Sequence, residues 1–95
     1  QEPESAARAA LLHARYADLR GNLSLAEHLL ERAAKLGVDH GLPAIESEAC
    51  RRLGRVLFNS GRFEGANVLL ERSHRVAASA RQRAKALFVR AQGHV

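Results

Sequence analysis

The side chains best able to do chemistry are scattered along this chain. The five histidines, His13, His28, His40, His74 and His94, include no pair at i,i+4 on one helix and no His-Glu-x-x-His. Zinc ligation usually needs a tighter set with thiolates or carboxylates. His13 and His94 read as residues packed between helices, and His40 as a solvated loop residue. Cys50 is the only cysteine, so it makes no intrachain disulfide, and a packed thiol is the expected role. Asp18, Asp39 and the glutamates follow no paired acid/base spacing. Gly37, Gly41 and Gly54 lack the neighbours of a phosphate loop. The expectation is a protein without catalytic residues, metal or cofactor, hence not an enzyme. What stands out instead is arginine. Lys plus Arg number 15 against 10 Asp plus Glu, giving +5 and a pI near 10.7. Planar guanidinium groups grip carboxylates and phosphates through charge-assisted bonds.

The elements that carry these residues are helical. Ala, Leu, Arg and Glu dominate, prolines number two, and no period-two run of strand formers occurs. Five helices are predicted: 4–20, 24–36, 43–59, 63–77 and 80–93. Gly21-Asn22 and Ser60-Gly61-Arg62 read as tight turns. Ser24 and Glu27 stand at capping-box spacing. Gly37 reads as a helix stop opening a 37–41 loop, and Pro43 suits the first turn of the next helix. No apolar run reaches the roughly 18–20 residues that cross a bilayer. A lone cysteine and no signal-type segment point to a reducing, cytoplasmic setting. A first residue of Gln rather than Met points to a piece of a longer protein.

Helical segments repeat. Leu29-Leu30-Glu31-Arg32-Ala33 recurs 40 residues on as Leu69-Leu70-Glu71-Arg72-Ser73. The same shift carries Ala14 to Gly54, Gly21 to Gly61, Leu23 to Phe63 and Ala26 to Ala66. Small residues at Ala14, Ala26, Gly54 and Ala66 fall where the helices of a hairpin would cross. This pattern resembles the tetratricopeptide repeat family, whose unit of about 34 residues is a helix pair. Residues 7–36 match through Ala14, Gly21, Leu23, Ala26 and Ala33. Residues 47–76 match through Leu53-Gly54, Gly61, Phe63, Ala66 and Ser73, and residues 84–95 look like the first helix of a third unit. The spacing of 40 residues is longer than the family's, with the extra residues expected in the 37–46 connection.

The resemblance implies a single all-α domain over residues 1–95, a right-handed superhelical array of antiparallel hairpins. It also implies a concave groove lined by the first helix of each pair. Carried onto this chain, the lining includes Arg15, Arg51, Arg55, Phe58, Asn59, Lys85 and Phe88, with Leu11 as an apolar spot. Such a groove would hold a peptide or helix of acidic and hydrophobic character, making the chain an interaction or scaffolding module, as in signalling or transcription regulation. The chaperone-tail mode of the family is disfavoured, because its asparagines are absent at the matching positions. Two alternatives stand beside this reading. Self-association through exposed terminal helices follows from an unfinished array. RNA binding follows from the charge, but four aromatics form no stacking series, so nucleic acid ranks low.

Overall fold

A computed structural model describes residues 2–93, with side chains through residue 85. It is all-helical: α1 (Glu2–Leu19), α2 (Leu23–Asp39), α3 (Pro43–Asn59) and α4 (Phe63–Gly93). Each helix packs antiparallel on the next in sequence, and α1 also touches α3. The radius of gyration is 15.2 Å and the extents are 53 × 30 × 20 Å. A compact chain of this length would have about 12 Å, so the helices form a row rather than a ball.

Three turns set the row. His40 and Ser60 cap α2 and α3, and each turn places a glycine next, with φ of 77° at Gly21, 63° at Gly41 and 84° at Gly61. A side chain resists that left-handed region, which glycine enters freely. In each turn the N–H one residue later donates back five positions: Asn22 to Ala17 O, Leu42 to Gly37 O and Arg62 to Leu57 O, at 2.8, 2.8 and 2.9 Å. These are the bonds of a Schellman stop. Pro43 sits at the first turn of α3 as expected.

The turns correct several sequence expectations. Gly37 is not a stop. It lies buried inside α2, and the connection is only residues 40–42. A Cβ on Gly37 would stand 2.8 Å from Glu46 N and 3.0 Å from its Cα. The missing side chain therefore serves close approach of α3 and not chain reversal. The extra length of the repeat enters the helices. α2 and α3 each span 17 residues. The cap of α2 is Asn22, whose Oδ1 accepts from Leu25 N at 3.2 Å, rather than Ser24.

The expected five helices are four. Residues 63–77 and 80–93 form the single 31-residue α4. Ala78-Ser79-Ala80-Arg81-Gln82 contains no Pro or Gly, so nothing interrupts the bonding ladder. The segment expected to open a third unit at residue 84 instead continues α4. At 1.5 Å per residue α4 is about 46 Å long against about 26 Å for α3. Burial on α4 ends near Ala80, and residues 81–85 are all exposed.

The core runs along the row through Ala7, Leu11, Ala14, Ala26, Leu30, Ala33, Ala49, Cys50, Leu53, Val56 and Ala66. Small residues let the backbones close in, and Leu30 and Cys50 are the largest side chains fully enclosed. Gly54 admits Leu70, whose Cγ would lie 2.9 Å from a Cβ there. Polar contacts lock α3 to α4. Ser73 Oγ donates to Ser47 O at 2.8 Å, Ser47 Oγ lies 3.0 Å from Ser73 O, and Arg72 bonds Glu46 at 3.0 Å.

Candidate functional site: a basic recess between α1 and α3

α1 and α3 run side by side, and the seam between them opens as a recess of about 210 Å3. Its floor is Ala14, Leu30 and Val56. Its walls carry Arg15 and Asp18 from α1, and Arg51, Arg52 and Arg55 from α3. Helical spacing explains the gathering. Arg51 and Arg55 are one turn apart on the one face of α3 that no helix covers, and Arg15 is the residue 40 positions before Arg55. The repeat thus places Arg15 and Arg55 at equivalent points of neighbouring helices.

Charge in the recess is uneven. Arg52 is engaged: Nη2 lies 2.6 Å from Glu48, and Nη1 reaches Leu11 O at 3.5 Å. Among the described residues no carboxylate lies within 4 Å of Arg15, Arg51 or Arg55. Asp18 is the one carboxylate in the lining. Elsewhere Arg8 pairs with Glu4 and Arg72 with Glu46 at 3.0 Å, and Arg62 bidentately with Glu27, while Arg20, Arg32, Arg75, Arg81 and Arg83, scattered outside the recess, have no carboxylate within 4 Å among the described residues. Three uncompensated guanidinium groups around one concavity create a positive potential that attracts carboxylates, and water screens it only partly within a recess.

The expected site residues divide. Arg15, Arg51 and Arg55 come together. Leu11, expected as an apolar lining spot, is buried in the core under α3. Phe58 is exposed but lies outside the recess, edge-on to Phe63 with centroids 5.0 Å apart. Asn59 is the exposed last residue of α3. Lys85 is exposed on the projecting part of α4, away from the recess, and the side chain of Phe88 lies outside the described residues. Ala14, Ala26, Gly54 and Ala66 are buried at helix contacts, and Gly21 and Gly61 make turns.

Sequence reasoning passed over a second feature. Leu12, Tyr16 and Leu19 are 58, 61 and 77 % exposed. They stand at i, i+4 and i+7, so they form one stripe on α1, roughly opposite its buried face. With Arg15 they surround a shallow depression beside the recess. Their spacing was the available signal.

Among the described residues there is no group of three or more His, Cys, Asp and Glu able to hold a metal ion. His13 is exposed rather than packed, and His94 lies outside the described residues. Cys50 is wholly enclosed, and burial pushes its thiol pKa up, away from the reactive thiolate. Among the described residues no helix is long and apolar enough to cross a membrane. The sequence matches no family model, and neither curated proteins nor solved structures give a match.

Proposed function

We propose that this chain is a protein–protein interaction module, a right-handed superhelical array of tetratricopeptide-like hairpins. It holds an acidic, partly hydrophobic peptide or helix along the α1–α3 face. The observation that carries the reading is the recess itself: Arg15, Arg51 and Arg55 converge from two helices without a carboxylate partner. Guanidinium groups left unpaired around a concave seam between two helices suit a ligand that brings its own carboxylates. Exposed Leu12 and Tyr16 beside Arg15 supply the apolar contact that a purely ionic site lacks.

The test uses a fluorescein-labelled synthetic helix with leucines on one face and glutamates at i,i+4 on its flank, followed by anisotropy. Binding should weaken with salt, and should fall at least about tenfold in the double variant Arg51→Glu, Arg55→Glu. Both side chains are exposed, so the fold should survive the change. Affinity unchanged by the charge reversal removes the recess from the function.

A further inference from the structure

α1 exposes what α3 buries. The 40-residue repeat pairs Ser5 with Ile45, Ala9 with Ala49, and Tyr16 with Val56. In α3 these positions are 3, 0 and 2 % exposed, because the preceding hairpin, α1 with α2, lies over them. In α1 all three are exposed, as are Leu12 and Leu19 on the same stripe. The molecule therefore contains its own example of what covers this face: the flank of a helix hairpin, offering a small residue at Ala14 and a leucine at Leu30.

The same flank occurs again, uncovered, at the other end of the row. The repeat carries Ala14 to Gly54 and Leu30 to Leu70, while Ala77 stands at the position of Gly37 and holds a docked helix farther off there. No described helix packs beyond α3 and α4, since the helix expected there continues α4 instead. We infer that a second copy of this chain docks its α1 stripe on the α3–α4 flank, head to tail, repeating the relation that α3 has to α1 and α2 and excluding from Tyr16 and Leu12 any peptide held there.

Charge supports the same register. In that stack the first turn of the incoming α1, which carries Glu2 and Glu4, takes the place of the turn after α2. It then lies beside α4 where that helix runs past Ala80 with Arg81, Arg83 and Lys85 exposed. Acidic first turn meets basic projection. A two-fold pairing of stripe with stripe would instead bring Arg15 against Arg15, and it has no counterpart inside the molecule. A head-to-tail contact uses two different surfaces, so it leaves both ends open and the assembly grows with concentration.

Sedimentation equilibrium on the chain, from low to near-millimolar concentration, should show average mass rising without a plateau at the dimer, less so at high salt. Tyr16→Arg, at an exposed position, blocks the α1 face, and Ala77→Arg, at the half-buried counterpart of Gly37 where the docked backbone comes closest, blocks the α3–α4 flank. Each alone should be monomeric. Mixed, they should form one heterodimer and stop, because each retains the surface that the other lost. Ala9→Arg, at the exposed counterpart of the fully buried Ala49, repeats the first arm. A monomeric wild-type chain overturns the inference, as does a plateau at a dimer abolished by either variant alone and not restored by mixing.

Discussion

Each buried polar or polarisable group is placed so that one substitution has a readable cost. Ser73 is buried on α4, and its hydroxyl and carbonyl are matched by Ser47 across the α3–α4 seam. Ser73→Ala takes a hydrogen bond from the half-buried carbonyl of Ser47. Denaturant unfolding should show a loss of about 1–3 kcal/mol. Cys50 is the deepest titratable group. Burial raises its folded pKa, Glu46 adds to that, and Arg72 opposes it. A raised folded pKa means the stabilisation is complete below the unfolded thiol's pKa of about 8.5. It falls as pH climbs through that value toward the folded one. Unfolding free energy should therefore decline across the mildly alkaline range in the wild type and stay flatter in Cys50→Ala. A bulky alkylating agent at pH 8 should leave the native thiol intact and modify it only after denaturation. A packed role for Cys50 was legible in the sequence from its place in the repeat. Exposure of His13 was not, because its repeat counterpart Leu53 is buried where α3 packs on α2, and no described helix lies on that side of α1.

The helices were legible in kind but not in their ends, and the glycines show why. Gly37 and Gly41 look alike in sequence. Gly41 supplies a positive φ, and Gly37 supplies room for the backbone of Glu46. Only the packed partner tells the two demands apart. Gly37→Ala should be destabilising by about 1–3 kcal/mol, since backbone must move. Gly54→Ala should cost distinctly less in the same thermal or denaturant melts. Its nearest obstacle is the Leu70 side chain at 2.9 Å, with the Ala66 carbonyl oxygen a looser 3.2 Å away, and alanine recovers up to about 1 kcal/mol of helix propensity. The expected break near residue 78 came from extending the repeat, while the local sequence holds no breaker. Ser79→Pro supplies one. It removes a ladder bond and strains the preceding turn at about 3 kcal/mol. Amide exchange should then quicken beyond residue 79 while α1–α3 keep their protection.

At the scale of the molecule, stability is a sum along a row. α1 and α4 share no packing contact, so each depends only on its neighbours. Leu11→Ala and Leu70→Ala should each destabilise, and their costs should add within about 0.5 kcal/mol in the double variant. A large coupling would mean the chain responds as one globule. The recess was partly legible, since shared helix faces put Arg15, Arg51 and Arg55 together. The placing of Phe58 on Phe63 was not, because it depends on the turn at Gly61 folding α4 back beside the end of α3. That turn is one of three with the same glycine, at residues 21, 41 and 61, so the chain reverses every twenty residues until α4, which runs on past residue 81. Such a cadence makes the segment from Leu23 to Arg62 a self-contained cassette. A gene that duplicated it in frame would encode a longer row with the same turns, in which the second α2 takes on α3 the place that α4 now holds. Growth by whole cassettes would also set α3 beside α3, bringing Arg55 of one against Arg51 and Arg55 of the next, as Arg15 now stands against them.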